Sequence, residues 1–377
     1  MRRLVGQNNL SPPNKFLINS TFFVQLPLDG IQFLCCCDRA FLLKFYLLLF
    51  AKKDVSLPLS YLDDLTMTEI ILHQYASSPF SEKIRCLLGY KQQNHSMVEI
   101  PIIMPKPDLI ALTGGYRKTP VLQRGSNIYC DTAIICKFLD QLSPEKSIFP
   151  KNQEMSLIAA AHWTDTFFFK IAVAVAFQPK ALASLELFQD PESAEAFMTD
   201  RAELTKGSAE LTMSLETAIP YWLMQMTKLE AQLNENAFLG GEKPNILDFS
   251  TYHCCWFVYG NDSLKSDLTA FPSIDSWMQK MSAFNREKPS IISGDNAIEI
   301  AKNTPMVLPE HPELLPSESF LEGKLVQVMP IDYGFQPTEG LLISASIDEI
   351  IIKRTDHRAG ELLVHFPRLG FQIAPRD

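Results

Sequence analysis

No Cys-x-x-Cys pair and no Cys/His ligand spacing occur among the eight cysteines, at 35, 36, 37, 86, 130, 136, 254 and 255, so the sequence gives no grounds for a redox dithiol or a metal site. They read as reduced thiols, mostly core, of a cytoplasmic protein. A Lys/Arg stripe interleaved with aromatics is also missing. With a net charge of −9, the chain offers a phosphate backbone no electrostatic footprint, and nucleic acid is not expected as a partner. Nor is a membrane: the apolar stretch from Ile31 to Phe50 contains Asp38, Arg39 and Lys44, too many charges for a span of about 20 residues. Phe41 to Phe50 has the composition of a signal h-region, but it lies far from the terminus and no small-residue cleavage site follows it.

What is present points to several packed units. At 377 residues, 46% hydrophobic and 20% charged, the chain has material for two or three cores. Residues 1–66 are expected to be a disordered or non-native leader, with Met67 opening the functional unit. From there Glu69 to Tyr75 reads as a buried strand, followed by a helix with Ser81 as N-cap. Val98 to Met104 and Thr119 to Arg124 read as further strands, Ser126 to Cys130 as a fourth across a Gly125-Ser126 turn, and Asp131 to Leu142 as a helix. This order predicts an α/β, thioredoxin-like domain over 67–143.

Beyond Pro144 and Pro150 the pattern turns helical, predicting an all-α bundle over 152–300. Its helices are Gln153 to Gln178, Ser193 to Lys206, Ile219 to Leu233 with Ile219, Leu223, Met226, Leu229 and Leu233 inward, and Phe249 to Tyr259 after a capping box at Asn245 and Asp248; Phe271 to Phe284 adds another. A Pro-rich linker follows over 301–322. Four short strands from Lys324 to Phe366 then predict a small β module, 323–377, that packs on the helical body.

The stretch Tyr75-Ala76-Ser77-Ser78-Pro79-Phe80-Ser81-Glu82-Lys83-Ile84-Arg85 places hydroxyls where a strand hands over to a helix, a position that favours anions; read alone, these serines are as well explained as helix caps. Two further segments follow in order, Lys118-Thr119-Pro120-Val121-Leu122 and Asp131-Thr132-Ala133-Ile134-Ile135, the second also opening a helix. With Phe238-Leu239-Gly240-Gly241 and Pro244 to Phe249, these motifs resemble the soluble glutathione S-transferases over roughly residues 67 to 285, and Ser-Pro-Phe is most similar to the tau class. Asn245 and Leu247 depart from the family's usual Ser/Thr and Ala.

The resemblance implies glutathione as co-substrate and no metal. Ser78 would stabilise the glutathione thiolate, ahead of its neighbours Ser77 and Ser81. Thr119, before a cis Pro120, would pair with the cysteinyl backbone, Lys118 would meet the glycyl carboxylate, and Asp131 with Thr132 would hold the γ-glutamyl end. Asp248 is expected to be structural. A small apolar electrophile would lie between the Ser78 loop and the long helix, near His162, Trp163, Thr166, Phe167 and Phe169. A cytoplasmic homodimer serving detoxification is what the family suggests. Two other readings stay open: a non-catalytic binding or scaffold protein of the same fold, and a glutathione-dependent thiol reductase or isomerase, of which the reductase needs a cysteine where Ser78 stands.

Overall fold

The computed structural model describes residues 69–185, 188–208, 212–285 and 288–376, and the backbone of two antiparallel strands, Lys15–Ile18 and Thr21–Val24. The expectation for residues 1–66 otherwise lies outside the described residues. Met1–Met67 and Thr68–Asp377 are separate compact units; the second contains everything that follows.

A strand-helix-strand unit opens it: β1 (Ile70–Gln74), α1 (Pro79–Tyr90) and β2 (His95–Glu99), with β1 and β2 parallel. Helix α2 (Pro107–Thr113) leads to the hairpin β3 (Val121–Arg124) and β4 (Asn127–Cys130), which lies antiparallel to β1, and α3 (Thr132–Leu142) closes the motif. Alternation along each strand divides the side chains between two cores, because successive residues face opposite sides of a sheet. Ile70, Leu72, Leu122 and Tyr129 join one core with α1 and α3, while Ile71, Val121, Ile128 and Cys130 join the other with α2. The first strand, the hairpin and α3 fall where the sequence places them. The second strand comes three residues earlier, because Pro101 interrupts the apolar run from Val98 and the strand recruits His95 and Ser96 to pair with Ile70 and Ile71.

The helical part begins with α4 (Glu154–Trp163), a π-helical turn (Thr164–Phe168) and α5 (Phe169–Ala176), which together form the predicted long helix. This run is long and apolar enough to cross a bilayer by composition, yet here it packs against the helices over 215–235 and 246–259. Helices α6 (Pro191–Leu204), α7 (Leu215–Glu235), α8 (Ile246–Tyr259) and α9 (Pro272–Ser282) complete the bundle, α8 lying against α1, α4 and α5. The C-terminal half of the inward face of α7 is as predicted, while in its first turns the face moves back by one residue. Ala218, Trp222, Met226, Leu229 and Leu233 are buried, whereas Ile219 and Leu223 are exposed. The capping box at α8 forms as read: Asn245 Oδ1 accepts from Leu247 N at 2.9 Å, and Asp248 accepts from the backbone N–H of Asn245 and Leu239 and from Trp277 Nε1. With those donors a wholly buried carboxylate is satisfied, and Asp248 is structural.

The C-terminal β region differs from the expected separate module on the helical body. After the two-residue strand β5 (Ser290–Ile291) and helix α10 (Gly294–Asn303) come β6 (Leu325–Pro330), β7 (Thr338–Ala345), β8 (Glu349–Asp356), β9 (Gly360–Pro367) and β10 (Phe371–Pro375). They form one ten-stranded sheet with the first domain, in the order β10-β6-β7-β8-β9-β4-β3-β1-β2-β5. The join is β9 alongside β4, parallel, with Leu363, Val364 and His365 opposite Asn127, Ile128 and Tyr129. Val326, Val328, Ile350, Ile352, Leu362, Val364 and Phe366 continue the α2-side core. Strand β4 would otherwise be a bare edge, and covering it removes a row of unpaired backbone groups.

Candidate functional site

Ser78, not Ser81, is the N-cap of α1. Its φ of −77° and ψ of 119° are extended, and its Oγ accepts from Ser81 N at 3.2 Å. Proline at the first helical position shifts the start three residues ahead of the expected one, since its fixed φ suits that place and its missing N–H is no loss there. The Ser78 hydroxyl hydrogen meets no acceptor among the described residues, and the side chain sits where the peptide dipoles of a twelve-residue helix converge. Ala76 and Ser77 are exposed beside it, while Ser81 Oγ is buried without a partner.

The other motif residues surround the same strand ends. The Thr119–Pro120 peptide is cis, and Thr119 precedes β3, so its backbone stays outside the sheet ladder. Asp131 caps α3, its Oδ1 accepting from Ala133 N at 2.9 Å and its Oδ2 from the buried Tyr116 hydroxyl at 3.3 Å. Its φ of +93° is one of two non-glycine positive values among the described residues. A backbone held there costs of order 1–3 kcal/mol and turns the carboxylate toward the site. Burial raises its pKa, with Lys118 opposing. Thr132 follows as the buried first residue of α3.

Lys118 is committed elsewhere than to open solvent. Its Nζ lies 2.6 and 2.8 Å from the two carboxylate oxygens of Asp332, in the β6–β7 loop, and 4.0 Å from the ring centroid of Tyr333. Arg117 pairs with Asp200 of α6 at 2.7 Å, and Asp200 also accepts from Met104 N. Helix α6 thereby clamps the loop before α2.

Lys106 is a site residue that the motifs do not reveal. It precedes α2 and is 5% exposed, with Nζ 3.4 Å from Thr119 Oγ1 and 5.4 Å from the Tyr75 ring centroid. No carboxylate among the described residues pairs with it. Burial, helped by Arg201 and opposed by Asp200, lowers its pKa from 10.5 to about 8. The available signal was Pro107 with Gly114, a helix start and a left-handed helix end that mark α2 and so the lysine at its mouth. Because the folded value lies below the unfolded one, the unfolded chain binds more protons between pH 8 and 10.5, and stability rises with pH through that window. Lys106→Met, which keeps the stem and removes the charge, is expected to stabilise the protein at pH 7 by about 1–3 kcal/mol, the gain fading toward pH 10.5. Urea unfolding at both pH values measures this, and equal stabilities at pH 7 would show that the ammonium carries no burial penalty.

The proposed electrophile side is only partly assembled. Phe169 is core, its ring 4.7 Å from Phe80 and 5.7 Å from His253. Trp163 and Phe167 form a half-exposed pair 5.9 Å apart, with Tyr221 6.3 Å from Phe167. Thr166 bonds back to the His162 carbonyl, and the His162 ring lies at the Gly370 turn. The described cysteines 86, 130, 136, 254 and 255 are all buried, and burial raises every one of their thiol pKa values, Cys136 to about 12. None is an activated nucleophile. No group of His, Cys, Asp and Glu among the described residues could hold a metal ion.

A cap-bearing helix mouth, a cis proline at a strand start and a strained helix-capping acid thus meet at the carboxyl ends of β1 and β4, a constellation suited to an extended peptide with an anionic group. Residues 72–147 match the model of the glutathione S-transferase N-terminal domain. A crystal structure of a GST-like protein from Pseudomonas syringae is 37% identical, covering 82% of this chain and all of that one, with a TM-score of 0.68. Glutathione S-transferase omega-1 of Mus musculus is 24% identical over 216 residues, 56% of this chain and 76% of its own length. With identity of that order over the full length of the bacterial protein, the chain belongs to the glutathione S-transferase family.

Proposed function

We propose that the protein is a glutathione transferase that ionises the glutathione thiol at the mouth of α1 and presents it to a small hydrophobic electrophile. The carrying observation is Ser78: an N-cap oxygen whose own hydrogen is unclaimed, set where a helix dipole already favours an anion. Thr119 supplies backbone N–H and C=O to the cysteinyl unit. Asp131 and Thr132 receive the γ-glutamyl ammonium and carboxylate, and Lys106 and Lys118 are the cations for the glycyl carboxylate. Conjugation then needs proximity and a stabilised thiolate, with no nucleophile from the protein.

A thiol-reductase reading, suggested by the omega relative's class, lacks its cysteine, since Ser78 occupies that position and Cys86 is buried. The reading as a non-catalytic binding protein has one observation in its favour, the Asp332 carboxylate on Lys118. A cytoplasmic homodimer acting in detoxification belongs to the same proposal and rests on the family alone. Retention on immobilised glutathione together with turnover of 1-chloro-2,4-dinitrobenzene is the expected result. Retention without turnover would favour the binding protein, and neither would sink both.

A further inference from the structure

The β6–β7 loop lies across the groove that the preceding reading assigns to glutathione. Both oxygens of Asp332 are on Lys118 Nζ, and the Tyr333 ring covers the same ammonium. Burial, with Asp332 and Asp131 adding to it, pushes the Tyr333 phenol well up. Residue 334 is a glycine with φ +71°, a conformation that strains a side chain, and a Cβ there would crowd Leu204 Cδ1 at 3.3 Å. A carboxylate held on the lysine that should take the glycyl carboxylate copies that end of the ligand.

Other ties hold the loop as well. Ser208 Oγ donates to the Asp332 carbonyl, Gly334 N donates to Leu204 O at 3.0 Å, and Ile331 N donates to Gly370 O at 3.0 Å. Tyr333 N turns inward on Asp332 Oδ1, so it adds no link to the body. Ile331 is 59% exposed, so the outer side of the loop is not packed. Among these ties, the Asp332 carboxylate on Lys118 is the one that a competing carboxylate can replace.

We propose that residues 331–335 are a built-in occupant of the glutathione groove, with Asp332 in the place of the tripeptide's glycyl carboxylate, and that glutathione binds by displacing them. This rests on the reading of the groove given above. A loop closed in about nine molecules of ten lowers the apparent affinity about tenfold, since binding awaits the open form.

The test is calorimetric titration of the full-length protein with glutathione, alongside amide exchange of the 331–335 segment. Asp332→Ala and the conservative Asp332→Asn are each expected to bind about tenfold more tightly than the parent, and glutathione should speed exchange of the segment in the parent. Equal or weaker binding in both variants, with the parent binding well and its loop still protected, would overturn the proposal while leaving the glutathione reading intact: Asp332 would then be part of the cradle. If exchange shows the loop released in Asp332→Ala and that variant still binds no glutathione, the groove is not a glutathione site and both readings fall.

Discussion

Replacing Ser78 by alanine is expected to lower conjugation about tenfold to a thousandfold while glutathione affinity changes little. A thiol with an ordinary pKa near 8.5 must lose roughly two units to be mainly thiolate at neutral pH, about 2.7 kcal/mol. One hydrogen bond to the charged sulfur supplies about 1.5–3 kcal/mol and the helix dipole about 0.3–1. Removing the hydroxyl takes away the larger contribution and leaves the dipole, so the apparent pKa of bound glutathione should climb back toward its free value. Binding is spared because Thr119, Asp131 and Thr132 address other parts of the tripeptide. The variant also loses the cap that receives Ser81 N, which costs of order 1 kcal/mol of stability and is read separately by thermal unfolding. Steady-state kinetics across pH, with ultraviolet titration of the bound thiol, make the measurement. Unchanged turnover would move the role to Ser77 or to backbone N–H groups.

What the sequence made legible here is local. Ser78, Thr119, Pro120, Asp131 and Thr132 each sit in a short segment whose turn, cap or proline signals its own backbone, and the structure gathers all five at one sheet end because β1, β3 and β4 are neighbours. Lys106 was hidden: a lysine between two prolines looks like a solvated loop residue until α2 is recognised. Asp332 and Asp200 were hidden for a stronger reason. Each lies more than eighty residues along the chain from the lysine or arginine it meets, and no periodicity or spacing reports a pairing across that distance. The β9–β4 join is of the same kind. Alternation identified strands in the C-terminal segment, but whether their inward face closes on itself or extends an existing core depends on an unpaired edge more than two hundred residues earlier.

Those distant contacts change the chemistry that local motifs imply. The segment read as a separate β module supplies a carboxylate to Lys118, and α6 supplies Asp200 to Arg117, so two of the three cations around Thr119 arrive already neutralised. Of these three, Lys106 is the one with no carboxylate partner among the described residues. A buried ammonium without a carboxylate is an expensive arrangement, and on the proposed reading its position beside Thr119 serves the glycyl carboxylate.

A second ion cluster, buried between α1, α8 and the π-helical turn, should dominate stability. The π-helical turn between α4 and α5 brings Asp165 into contact with two buried partners: Lys83 Nζ of α1 at 2.6 Å and His253 Nε2 of α8 at 3.0 Å. Burial alone would raise the Asp165 pKa, but Lys83 and His253 outweigh it and hold the carboxyl at about 2, below its usual 3.8. Lys83 is 1% exposed. Asp165→Ala would strand that ammonium in the interior, at an expected cost of about 3–5 kcal/mol in chemical denaturation. The pH signature follows from the sign of the shift: the folded pKa is depressed, so Asp165's contribution is fully present above pH 3.8 and is lost as pH falls toward 2. The parent should therefore lose stability steeply over that interval, and Asp165→Ala should lack this part of the slope while keeping the one due to His253, whose pKa burial lowers from 6.5. Combining Lys83→Met with Asp165→Leu removes both charges and should recover most of the loss, because an apolar pair of similar volume replaces a desolvated one. If the single and double variants prove equally unstable, the cost lies in packing at the turn and not in the stranded charge.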